Sequence, residues 1–84
     1  TVRVAAIKAL GDLRKPGLAR FFESSFQNDD SYVVQAEALR SLGTCGSADA
    51  QESLEAAKGI KSPRNVIRRA AEWGLAELVK SEWP

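Results

Sequence analysis

Cys45 is the single cysteine of the sequence and its most nucleophilic side-chain type. A working cysteine nucleophile needs a base or cation to hold it as thiolate, and a redox pair needs a second cysteine. The chain has no histidine and no other cysteine, so Cys45 is expected to be a small buried hydrophobe. The missing histidine also removes Ser-His-Asp hydrolysis, Cys-His proteolysis and every histidine-ligated zinc site. Gly43-Thr44-Cys45-Gly46 has the glycines of a phosphate-cradling loop, but not its spacing, and no Lys-Ser or Lys-Thr pair follows. A turn between helices is expected there, with Gly43 closing a helix in a left-handed conformation. Asp29-Asp30 stands where capping explains it. No catalytic residue, cofactor site or metal ligand is expected.

The remaining chemistry is charge. Lys58, Lys61, Arg64, Arg68 and Arg69 follow one another with no acid between Glu55 and Glu72, and Trp73 comes shortly after Arg69. Lys61, Arg64, Arg68, Arg69 and Trp73 are therefore the candidate interaction surface, suited to an acidic peptide, a phosphate or RNA. The plainer reading is a solvated helix face carrying pairs such as Glu37–Arg40 and Arg68–Glu72 at spacings of three and four. No aromatic residues interleave with the basic run as single-strand binding requires. Twelve Lys and Arg against eleven Asp and Glu leave a net charge of +1, which disfavours nucleic acid as partner and leaves peptide or protein. Trp73 could stack on Arg69; packing on a further repeat is the favoured expectation.

The elements that would carry these residues repeat. Val2, Ala6, Leu10 and Leu13 return one period later as Val34, Ala38, Leu42 and Cys45, and again one period on as Ile67, Ala71, Leu75 and Leu78. Steps of four, four and three place each set along one helical face. Between the copies, Leu18, Phe21, Phe22 and Phe26 form one amphipathic stretch and Ala50, Leu54, Ala57 and Ile60 another. Asn28-Asp29-Asp30-Ser31 and Ser62-Pro63 read as helix starts, the latter with proline at the first helical position. Five helices are predicted, over 2–13, 17–27, 31–43, 48–60 and 64–80, joined by short turns that make neighbours antiparallel. With 84 residues, 44% hydrophobic and 27% charged, this is one domain, residues 1–84. No strand pattern and no membrane-spanning run is present. The sequence names no compartment, and a soluble, cytoplasmic setting is the default expectation. The absence of methionine suggests a segment of a longer protein, whose bare ends would self-associate with rising concentration.

The run Asp29 to Gly43, D-D-S-Y-V-V-Q-A-E-A-L-R-S-L-G, resembles the second helix of a HEAT-type repeat, as do Val2 to Ala6 and Ile67 to Ala71. The resemblance implies an all-α HEAT-like solenoid fragment of five antiparallel helices in the order B, A, B, A, B. A narrower likeness, in S-Y-V-V-Q-A-E-A-L-R-S-L-G and V-I-R-R-A-A-E-W-G-L-A-E-L, is to the helical C-terminal region of zinc metallopeptidases of the aminopeptidase N type. It implies a non-catalytic scaffold that packs on the rest of its parent polypeptide and shapes substrate access, with any zinc held elsewhere in the parent. The alternative is an independent protein–protein interaction module. HEAT repeats tend to pair an Asp in the turn with an Arg about six positions later. Here Asp29 is followed at that distance by Gln35, and Arg68 is preceded by Ser62, so Asp29 is expected to reach Arg3 or Arg68 of a neighbouring repeat.

Overall fold

A computed structural model describes residues 2–82, and within them the chain is all α-helical. The helices are α1 (Val2–Gly11), α2 (Ala19–Asn28), α3 (Tyr32–Thr44), α4 (Ala50–Ala57) and α5 (Val66–Glu82). Short 3-10 turns, Pro16–Leu18 and Pro63–Asn65, lead into α2 and α5. Trp83 and Pro84 lie outside the described residues. The three B helices α1, α3 and α5 form one layer, with α3 packed between the other two. The A helices form a second layer, α2 on α3 and α4 on α5. Phe22 from α2 and Leu54 from α4 are fully buried against Val34, Ala38, Leu42, Ile67 and Ala71. Burying a side chain of this size contributes roughly 1.5–3 kcal/mol, so these few residues carry much of the fold.

The helix starts divide into one that follows its signal simply and one that does not. Before α3, the Ser31 hydroxyl accepts a hydrogen bond from the Val34 amide and the Asp29 carboxylate accepts one from the Ser31 amide. Before α5, Pro63 opens a 3-10 turn, not the helix itself. Arg64 and Asn65 take left-handed backbone at φ 54° and 55°, and the helix proper begins at Val66. Ser62 still caps it, accepting from the Ile67 amide at 3.0 Å.

Gly43 does not end a helix in a left-handed conformation. It lies inside α3, which runs to Thr44, and the left-handed residue of that turn is Gly46 at φ 79°. Gly43 is instead the point where α3 meets α5. A methyl group built there would strike the backbone of Gly74. The α1–α3 junction repeats this geometry: a methyl on Gly11 would strike Ser41. Gly11 and Gly43 are equivalent positions of successive repeats, as are Ser41 and Gly74, so one pair of repeat positions makes both contacts. The Ser41 hydroxyl donates to the Ile7 carbonyl at 3.2 Å across the junction, and no buried side-chain polar atom among the described residues lacks a partner.

The first copy of the apolar stripe departs from the other two. Val34, Ala38, Leu42 and Cys45 are at most 2% exposed, and on α5 Ile67, Ala71 and Leu78 are also buried. On α1 the equivalents are open: Val2 is 86% exposed, Ala6 is exposed, Leu10 is half-buried and Leu13 lies beyond the helix at 55%. Ile7 and Gly11, on the flank that faces α3, are the residues α1 buries. Periodicity locates a face, but a face is buried only if a second helix lies on it.

The expected link between repeats is present. Arg3 Nη1 stands 3.4 Å from Asp29 Oδ2, so Asp29 reaches Arg3 and not Arg68, which pairs with Glu72 at 3.7 Å. Gln35, in the place of the usual arginine, donates from its side chain to the Asp29 carbonyl at 2.7 Å.

Two mutational series check these contacts. Gly43→Ala should destabilise by about 1–3 kcal/mol, since neither helix backbone can yield as a side chain would. Gly17→Ala, with nothing within 4 Å of the added methyl, should be neutral or slightly stabilising in the same urea unfolding assay. Asp29→Ala should cost about 0.5–2 kcal/mol, as a lost cap does. A double-mutant cycle with Arg3→Ala should assign less than about 1 kcal/mol to the ion pair itself, because Arg3 is largely exposed.

Candidate functional site

The face of the B layer turned away from α2 and α4 carries the side chains that are neither core nor plain solvent. Lys8 on α1, Arg40 on α3 and Trp73 on α5 line one hollow of about 170 Å³, together with Asp12, Glu37 and Thr44. Lys8, Arg40 and Trp73 fall at the same place in three successive repeats, so they occupy a single repeat position. The helices cross closely at Gly11–Ser41 and Gly43–Gly74, which brings that position into a row. On its far side Trp73 borders a second hollow with Arg40, Val66, Arg69 and Ala70. Trp73 is thus flanked by two arginines, and it is 45% exposed.

Charges along this row are partly spent. Lys8 pairs with Asp12 at 3.5 Å and Arg40 with Glu37 at 3.0 Å, the second matching the spacing expected from sequence. Arg69 makes no ion pair among the described residues. On the opposite layer Glu23, Asp49, Glu52 and Glu55 line a shallow acidic hollow between α2 and α4, with Glu55 paired to Lys58 at 3.7 Å. No group of three or more potential metal ligands occurs among the described residues.

Of the five residues proposed from sequence, Arg69 and Trp73 share one hollow, with Arg40 completing it. Lys61 and Arg64 are exposed in the α4–α5 connection, and Arg68 is exposed and held by Glu72. Trp73 shares its hollows with residues of α1 and α3, and a stack on Arg69 is not what defines its place. Lys8 and Arg40 were missed as site residues. Aligning the polar positions of the repeat, and not only the apolar ones, would have found them.

Cys45 behaves as a core residue. It is 2% exposed, its thiol donates to the Leu42 carbonyl at 3.1 Å, and burial pushes its pKa above the ordinary value.

A family model of HEAT repeats matches residues 1–76. The chain belongs to the HEAT-repeat family. No curated protein and no solved structure matches it, and the narrower likeness to aminopeptidase N-type enzymes gains no support. As in the expected HEAT arrangement, the B helices lie side by side in one layer. The row of Lys8, Arg40 and Trp73 is what this HEAT segment displays on their free face. No helix among the described residues is long and apolar enough to cross a membrane.

Thiol chemistry checks the position of Cys45. Labelling by a disulfide reagent should be slower in native protein than in urea-unfolded chain by at least about 100-fold, because it must await opening of the core. The raised pKa also has a sign. The folded thiol keeps its proton where the unfolded one has lost it, so stability is full below the ordinary thiol pKa and falls as pH rises through it. Cys45→Ala should remove that alkaline component from a pH series of unfolding midpoints.

Proposed function

We propose that this chain is a non-catalytic helical scaffold that docks an acidic polypeptide segment on the free face of α1, α3 and α5. The observation that carries the proposal is Trp73, half-exposed between Arg40 and Arg69 in a hollow built from repeat-equivalent positions. Tryptophan and arginine dominate the energetics of protein interfaces when they sit together near the centre of a contact. Arg69, without an ion pair among the described residues, supplies the charge that an incoming carboxylate would meet. The acidic hollow between α2 and α4 repels the same segment, which favours the free face of the B layer. Lys61 and Arg64 stand at the edge and would act through longer-range attraction.

This scaffold could serve as the accessory region of a zinc aminopeptidase-like parent, with the docked surface belonging to that parent, or as an independent interaction module. The peptidase form is supported by the sequence likeness of α3 and α5 alone, and the comparisons favour neither. An H-E-x-x-H motif in the parent polypeptide would decide for the first.

Binding can be read from Trp73 fluorescence in a Trp83→Phe background. Titration with an Asp- and Glu-rich peptide carrying one large apolar residue should shift the emission, with affinity that falls as salt rises. Trp73→Ala and Arg69→Glu, followed by anisotropy of a labelled peptide, should each weaken binding by about 10-fold or more, within the hot-spot range. Equal binding of acidic and basic peptides would refute the reading.

A further inference from the structure

Between α2 and α4 the A layer carries a groove that the core does not fill. Each A helix packs on a B helix rather than on the other, α2 on α3 and α4 on α5. The wall that α4 turns to the gap is made of small residues, Ser53, Ala56 and Ala57, with Ile60 at its end. Phe26 and Glu23 line it from α2, Leu42 of α3 lies at its floor, and about 180 Å³ stays open. Leu42 and Ala57 are buried, Phe26 is half-buried and Ile60 is 42% exposed. An apolar cavity of about 150 Å³ takes up a molecule as large as benzene, so this groove has room for one branched or aromatic side chain. Glu23 and Ser53 also line the acidic hollow, so groove and hollow are continuous. Glu23, Asp49 and Glu52 make no ion pair among the described residues, whereas Glu55 is held by Lys58.

We infer that this groove docks a basic segment of a partner polypeptide, with one large apolar side chain between Phe26 and Ile60 and a Lys or Arg against Glu23 and Glu52. Charge complementarity chooses the occupant, because the apolar slot opens directly onto carboxylates that no cation of the described chain holds. It also sets the direction. Lys58 and Lys61 flank Ile60 in sequence, so the incoming cation belongs at the Glu23 end. From Glu52 to Ala57 is about 7.5 Å along α4. Two or three residues of extended chain, at about 3.3 Å each, cover that span. The recognised pattern is therefore a cation two or three positions from the apolar residue. A second copy is the poorer occupant, since the groove admits one side chain while a stable contact between folded chains buries about 800 Å² on each.

The probe is a short fluorescein-labelled peptide of glycine and serine that carries two adjacent arginines and, two positions on, one leucine. Its anisotropy is measured against the whole chain. Saturable, salt-sensitive binding is expected, weakened by about 10-fold or more when alanine replaces the leucine or glutamates replace the arginines. Two protein variants should weaken it to the same degree. Ala56→Phe fills the groove from an exposed position of α4, and Glu23→Gln combined with Glu52→Gln removes charge at its acidic end. Circular dichroism checks that both variants keep the fold. In the Trp83→Phe background the unlabelled peptide should leave Trp73 emission unmoved, which separates this binding from that of an acidic segment on the B layer. The inference fails if binding is absent up to about 1 mM peptide, or if the peptide lacking leucine binds as well. It fails equally if Ala56→Phe leaves binding unchanged or if Trp73 emission shifts. Sedimentation showing a dimer that Ala56→Phe abolishes would make a second copy the occupant and overturn it too.

Discussion

Two backbones in near contact organise this molecule. Where α3 crosses α5, Gly43 and Gly74 leave no side chain between the helices, and where α3 crosses α1, Gly11 meets Ser41. A helix can lie this close to its neighbour only where side chains are absent or very small, so each junction has one allowed register. Because the same repeat positions make both contacts, the second junction copies the first. Everything that lines up across the B layer does so because these crossing points do.

The row of Lys8, Arg40 and Trp73 is one consequence. The three side chains come from helices separated in sequence by A helices and turns, and only the crossing geometry puts them in one hollow. The two layers also differ in electrical character. Glu23, Asp49, Glu52 and Glu55 gather in the hollow between α2 and α4, while the free face of the B layer holds Arg69 and a half-exposed tryptophan beside the paired Lys8–Asp12 and Arg40–Glu37. A chain of net charge +1 thereby presents two faces of different charge. Attraction in such a molecule depends on which face a partner meets, since screening at physiological salt limits charge effects to about 8 Å.

Much of the turn chemistry follows local rules, and it also repeats. Arg14 takes left-handed backbone at φ 53°, and Gly46, its equivalent in the next repeat, takes the same conformation at φ 79°. The turn after α1 and the turn after α3 are therefore one design, built once with glycine and once with arginine at some conformational cost. The Asp29 corner ties the second repeat to the first through Arg3 while capping its own helix through Ser31. Gln35 replaces the arginine that would have continued this ladder and binds the backbone of its own corner instead.

The helices, their order and their period were legible in the residues, because capping groups, prolines and the four-four-three spacing act over short stretches of chain. Cys45 was legible for the same reason, since it fell in a slot filled by leucine in the other copies. Gly43 was not. A glycine near a helix end satisfies a local stop signal, and only the approach of Gly74 from α5 shows that its missing side chain serves a crossing. Arg40 was read as half of an ion pair with Glu37, which it is, but its place beside Trp73 depends on a helix one full repeat away. The α1 stripe makes the same division from the other side. Periodicity determined that Val2, Ala6, Leu10 and Leu13 belong to one apolar line, while tertiary structure alone decided that Leu10 packs on the core and Val2, Ala6 and Leu13 stay exposed, because burial is a property of two surfaces and sequence spacing describes one.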